Sequence, residues 1–206
     1  ENPLVKTFVL HCYLKGGLTE ENINSNGSFN LVSSLLNAST ESQSQLEVKN
    51  FFESKAASFS SFSGKNAYGL TLNGLSEDFE VLVKQYMNCL QKPAFNKSDL
   101  LHEKEMAIRN LKSQSQDPVR LCFNKISECA FPSHPYSMSP LGTEKSINKF
   151  TQKGLLKIHQ EKISDETFLF TYCGNKKEED VKKELLEYIN KLSPRGSSRK
   201  TNLKKI

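Results

Sequence analysis

The chain opens on a period of two. Between Thr7 and Leu14 the residues Phe8, Leu10, Cys12 and Leu14 face one side and Val9, His11 and Tyr13 the other, which predicts a strand, and Lys15-Gly16-Gly17 ends it. After a polar loop the period lengthens. From Gly27 to about Asn37, Phe29, Val32, Leu35 and Leu36 share one helical face. Thr40 and Gln43 stand at capping-box spacing, which predicts a second helix to about Ala57 that buries Leu46 and Phe51 or Phe52. Phe59–Phe62, the polar turn Ser63-Gly64-Lys65-Asn66 and the alternating Tyr68, Leu70 and Leu72 predict a β-hairpin.

Helical spacing then takes over. Ser76 is placed to cap a helix in which Phe79, Leu82, Val83, Tyr86, Met87 and Leu90 keep their face without a violation, and Lys92-Pro93 stops it. A long polar helix is predicted over 98–115 with Leu101, Ile108 and Leu111 inward. Asp117-Pro118 is an N-cap followed by proline at the first helical position, so a further helix runs to about Phe131. His134-Pro135-Tyr136 falls in a loop, and 143–150 and 151–163 predict two shorter helices. Residues 167–173 predict a strand, and Asn175 is placed to cap a last helix with the stripe Val181, Leu185, Tyr188, Ile189 and Leu192. Helices are bunched rather than alternating with strands, and no internal repeat is present. The expected class is therefore α+β: two layers, a mainly antiparallel sheet with helices packed on one face.

Composition narrows the class without naming a function. A chain of 206 residues, 36% hydrophobic and with 13 Phe and 6 Tyr, is too apolar and too balanced in charge for a disordered chain and long enough for one core. One domain is expected over 1–192. No apolar run approaches the roughly 18–20 residues of a membrane span, and no basic-then-apolar N-terminus of the signal-peptide kind is present. The start at Glu1-Asn2-Pro3, without Met, leads us to expect a processed chain or a piece of something longer. The net charge of +5 sits entirely in 193–206, where Arg195, Arg199, Lys200, Lys204 and Lys205 meet no acid. This segment reads as a basic interdomain linker or tail rather than a contact for nucleic acid or anionic lipid, and no nucleic-acid partner is expected. The five cysteines, 12, 89, 122, 129 and 173, contain no C-x-x-C and read as small buried hydrophobes. They favour a reducing compartment such as the cytoplasm, with a bacterial periplasm as the alternative.

Catalytic patterns fail one by one. His102-Glu103 would begin H-E-x-x-H, but the second position of the pair is Met106. The histidines 11, 102, 134 and 159 form no i, i+4 pair, and a structural role is expected for His11 and His159. Gly16-Gly17 closes a strand without a phosphate-binding fingerprint, and no G-x-S-x-G elbow exists. Glu103, Lys104 and Glu105 read as a solvated charged face. Nothing in the residues themselves assembles a nucleophile, a base and an orienting group.

The order of landmarks nevertheless resembles a family. The strand ending in Gly16-Gly17 and the run from Gly27-Ser28-Phe29-Asn30 to Asn37-Ala38-Ser39-Thr40 are similar to the first strand and helix of the pitrilysin, insulin-degrading-enzyme and mitochondrial-processing-peptidase family of inverted-zincin metallopeptidases. Pro93-Ala94-Phe95 before a long charged helix, His134-Pro135-Tyr136, Gly142-Thr143-Glu144, Thr151 and the strand ending Cys173-Gly174 come in the family's order, across about 5–192. The resemblance implies a fold of the LuxS/MPP-like metallohydrolase type.

It also implies a site, and here the chain departs from the pattern. The family's active domain carries H-x-x-E-H on that first helix, with a further Glu ligand from the later long helix. Aligned on Gly27 and Thr40, the motif falls on Asn30, Ser33 and Ser34, and the later ligand at about Lys112. An amide and hydroxyls are poor zinc ligands, serine is no carboxylate base, and an ammonium repels a dication. No catalytic, cofactor-binding or metal residue is therefore expected in this chain, and zinc is expected in a partner domain. The resemblance implies a non-catalytic domain of a zinc metallopeptidase that helps form a clamshell chamber around unfolded peptides. Its partner would be the zinc-bearing half of the same polypeptide or another subunit. Two alternatives stand beside this reading: a zinc-free scaffold or interaction protein of the same fold, like respiratory-complex core subunits, and an unrelated α+β binding module.

Overall fold

The computed structural model of the chain describes residues 5–165 and 168–190. Strand β1 (Thr7–Lys15) is followed by helices α1 (Ser28–Leu36) and α2 (Gln45–Ser54), then the hairpin β2 (Ser58–Ser63) and β3 (Ala67–Leu75). Helices α3 (Phe79–Gln91), α4 (Lys97–Gln114), α5 (Pro118–Ala130), α6 (Glu144–Lys149) and α7 (Gln152–Asp165) come next, then β4 (Leu169–Cys173) and α8 (Glu178–Ile189). The four strands form one antiparallel sheet in the order β2-β3-β1-β4. In its register Thr7 faces Leu75 and Lys15 faces Ala67, while Val9 faces Cys173.

The alternation in β1 sets the two layers. Phe8, Leu10, Cys12 and Leu14 are buried under the helices, whereas Val9, His11 and Tyr13 are half-buried on the other face. α3 lies against this core with Phe79, Leu82, Val83, Tyr86, Met87 and Leu90 all at most 1% exposed. Phe8 meets Phe79 edge to face at 4.9 Å between ring centroids, and the Tyr86 hydroxyl donates to the Leu70 carbonyl at 3.0 Å. His159 of α7 is a buried structural histidine, as expected. Its Nε2 donates to the Leu90 carbonyl at 2.8 Å, and burial lowers its pKa to about 4, the hydrogen bond to Leu90 opposing the fall.

Several boundaries differ from the sequence reading. α2 is capped by Ser44, in a capping box with Glu47, and not by Thr40; it buries Val48 and Phe52 and leaves Leu46 65% exposed. Thr40 instead pairs with Gln43 and Pro93. A 3-10 turn over Ser76–Asp78 precedes α3, and α8 starts after Lys177, so neither Ser76 nor Asn175 caps a helix through its side chain. In α4 the buried residues are Leu100 and Ala107, while Leu101 is exposed. Cys12 and Cys89 are buried, and burial raises both thiols, Cys89 to about 12; Cys122, Cys129 and Cys173 are exposed, so they are not core. Thr167, Leu192 and the tail at 193–206 lie outside the described residues.

Candidate functional site

Helix α1, on which the motif positions are expected, is fixed at its N-terminus by an acid from the preceding loop. Glu21 is only 6% exposed. Its Oε2 accepts from the Gly27 N–H at 2.9 Å and the Asn26 side chain at 3.0 Å, and its Oε1 from the Phe29 N–H at 2.9 Å and the Ser28 hydroxyl at 3.2 Å. One carboxylate thus satisfies two of the N–H groups that a helix start leaves unpaired, and its charge suits the positive end of the helix dipole. The sequence reading did not single out Glu21: a cap seven residues before the helix has no fixed spacing.

Beyond that anchor, α1 buries Phe29, Leu31, Val32, Leu35 and Leu36. Asn30, Ser33 and Ser34 lie on one side of it, at i, i+3 and i+4. Asn30 and Ser34 are half-buried, and Ser33 is 3% exposed. The Ser33 hydroxyl donates back to the Asn30 carbonyl at 2.9 Å, within its own helix. The Ser34 hydroxyl meets Glu103 of α4. Burial raises the Glu103 carboxyl above the usual range, and His102 and the Ser34 hydroxyl pull it back.

α1 and α4 meet in opposite directions. Near the C-terminus of α1, Ser39 bonds Asp99 and accepts from the Asn96 amide at 2.9 Å. Five residues earlier Ser34 meets Glu103, so Asn30 comes level with about Ala107. Lys112 is exposed. It stands nine residues beyond Glu103, which at roughly 100° per residue turns it to the opposite side of α4. Lys112 is therefore not brought to Asn30, Ser33 and Ser34. A count along the chain from the family pattern misplaced it; the phase set by Leu100 and Ala107 would have excluded it. The charge run beside it is also corrected. Of the three only Glu105 is exposed, while Lys104 reaches across to α6 and donates to the carbonyls of Asn148 and Phe150 at 3.0 and 2.7 Å. Burial lowers its pKa.

The donor set on this face does not fit zinc. It offers one amide, two hydroxyls, of which that of Ser33 is bonded within its own helix, and one carboxylate, whereas zinc takes imidazole, thiolate or carboxylate from three or four residues. Among the described residues no group of three or more His, Cys, Asp and Glu side chains is placed to hold a metal ion. No described helix is long and apolar enough to cross a membrane.

The molecule is thus an α+β domain in which one side of α1 presents an amide and two hydroxyls. It belongs to the insulinase family of peptidases, whose model, Insulinase (Peptidase family M16), matches residues 2–144. It is 21% identical over 191 residues to an uncharacterized zinc protease of Rickettsia bellii, covering 93% of this chain and 46% of that protein. The fold is shared with a protease from Helicobacter pylori, at a TM-score of 0.86 and 13% identity over 97% of this chain and 48% of that one. It is shared too with a peptidase M16 inactive domain from Pseudomonas fluorescens, at a TM-score of 0.82 and 20% identity over 93% and 47%. The chain spans about half the length of these relatives.

Proposed function

We propose that this chain is a non-catalytic domain of a zinc-dependent peptidase, which shapes the chamber in which the whole protein holds an unfolded peptide. The observation that carries this reading is the α1 face itself: Asn30, Ser33 and Ser34, which the resemblance aligns with the family's motif, offer an amide and two hydroxyls, the Ser33 hydroxyl bonded to the Asn30 carbonyl and Ser34 beside Glu103. Zinc and its general base then belong to the other half of the polypeptide or to another subunit. This domain contributes confinement and orientation. The strand β2 supports the reading. It is an edge of the sheet among the described residues, it packs beside α1, and its sequence Ser58-Phe59-Ser60-Ser61-Phe62-Ser63 carries no charge. An extended peptide can add to such an edge through backbone hydrogen bonds, which tolerate many side chains. The basic segment 193–206 serves as the linker to a neighbouring domain.

The test is a peptidase assay with zinc analysis on the full-length protein. Asn30→Ala, Ser33→Ala and Ser34→Ala should change the rate little, whereas removal of this domain should abolish turnover and leave zinc bound. A loss above about a hundredfold in Ser33→Ala or Ser34→Ala, roughly 2.7 kcal/mol of barrier, would place this face in the chemistry and overturn the reading. A full-length protein without zinc or peptidase activity would favour the scaffold alternative.

A further inference from the structure

One helix of the domain buries nothing. In α5, Val119, Cys122, Phe123, Ile126, Cys129 and Ala130 recur at i, i+3, i+4, i+7, i+10 and i+11 and so form one apolar face. No residue of α5 is buried; Val119 and Phe123 are each 63% exposed and Ile126 54%. Cys122, Ile126 and Cys129 line a shallow groove along that face. The helix is nevertheless well specified at both ends. Asp117 Oδ1 accepts from the Val119 and Arg120 N–H groups at 2.9 and 3.3 Å. At the other end, Phe131 packs on Tyr136 with ring centroids 5.5 Å apart, the Tyr136 hydroxyl donates to Asn66 at 2.7 Å, and Lys65 lies 4.8 Å over the Tyr136 ring. The face is thereby held at a fixed orientation beside the β2–β3 turn. A 13-residue helix takes most of its stability from packing, and this one buries no residue within the described part of the chain.

We propose that the apolar face of α5 is the docking surface for the other half of the same polypeptide. The chain covers 46% of the Rickettsia protein and 48% of the Helicobacter one, so proteins of this length carry a second segment of comparable size. The stripe holds no charge, and Lys125 at its margin is paired with Glu128 at 2.8 Å. That composition suits a permanent contact rather than a steered, transient one. A second copy is the weaker occupant. One face of a 13-residue helix falls well short of the roughly 1,200–2,000 Å² that a stable interface between separate molecules buries. A covalently linked domain escapes that requirement, because its effective concentration is on the order of millimolar. The inference rests on the proposed reading that this chain is one half of a longer polypeptide, and not on where zinc is bound.

Cysteines supply the probes. In the full-length protein, maleimide alkylation of Cys122 and Cys129 should run at least tenfold slower under native conditions than in denaturant, alongside the buried Cys12 and Cys89. Amine crosslinks from Lys125 should reach the second half within a single chain at concentrations where the protein is monomeric. Native alkylation as fast as in denaturant would overturn the proposal. Protection that disappears on dilution would also overturn it, in favour of a second copy, and so would Lys125 crosslinks confined to residues 5–190. None of these readouts involves peptidase activity, so failure here is distinguishable from failure of the proposed function.

Discussion

Gly27 and Gly142 face each other where two backbones cross: a Cβ built on Gly27 would lie 2.9 Å from the Gly142 Cα, and one built on Gly142 would lie 2.9 Å from the Gly27 Cα. Both have positive φ, 89° and 83°. The crossing joins the start of α1 to the cap of α6, and Ser146 reinforces it by donating to the Asn26 carbonyl at 2.7 Å. Two landmarks far apart in sequence are thus one contact.

Gly27→Ala and Gly142→Ala should each cost more than about 1 kcal/mol, since each adds both a left-handed strain and a backbone clash. Both force apart the same crossing, so the double variant should cost less than the sum of the two. Urea unfolding of the three variants checks this. Additive losses would mean that the two glycines act separately.

How far the sequence disclosed the fold depends on how local the signal is. The α3 stripe was legible because six apolar residues at helical spacing have no alternative burial, and β1 because its alternation is uninterrupted. Leu46 and Leu101 were misjudged because each lies close to a better core residue, Val48 and Leu100, and only tertiary packing chooses between them. At the site, Asn30, Ser33 and Ser34 were placed on one face by i, i+3, i+4 spacing alone. Glu103 and Glu21 were not recognised, because a contact between helices and a cap from a distant loop leave no periodic trace.

That contrast has a stability signature. Leu82→Ala should cost on the order of 2–5 kcal/mol, as for other large-to-small changes in a packed core. Leu46→Ala and Leu101→Ala, at 65% and 54% exposure, should stay within about 0.5 kcal/mol. Denaturant midpoints with unchanged slopes would establish the difference; equal losses at Leu46 and Leu82 would contradict the burial pattern.

Acid should weaken the fold through His159. Its folded pKa is lowered to about 4 by burial, against 6.5 for the ordinary group. Above pH 6.5 both states are neutral there and stability is intact. Below it the unfolded chain takes up a proton that the folded chain refuses, so stability falls as pH drops from 6.5 to about 4, by on the order of 3 kcal/mol. His159→Gln should lower stability at neutral pH yet flatten this dependence. Unfolding curves across that range decide it, and an unaltered slope in the variant would assign the acid sensitivity to other groups.

On the proposed reading, the α1 face keeps the spacing of the family's ligands without their chemistry, and this can be tested by introducing them. Asn30→His with Ser34→His would set two imidazoles at i, i+4, half-buried on one side of the helix, a spacing that supports shared coordination of zinc. The double variant should therefore gain chelator-sensitive zinc binding, detectable by calorimetry. It should remain weak, because the one further ligand α4 brings to this face is Glu103, beside the Ser34 position, and burial there disfavours its charged form. Peptidase activity should not appear with it. Ser33 is 3% exposed with its hydroxyl bonded to the Asn30 carbonyl, so the position between the two imidazoles holds no carboxylate to act as base. Ser33→Glu would have to bury a carboxylate at that point and should destabilise the domain rather than complete the site. Absence of zinc binding in the double variant would mean that α4 closes the face, and that the departure from the family lies in helix packing as well as in side-chain chemistry.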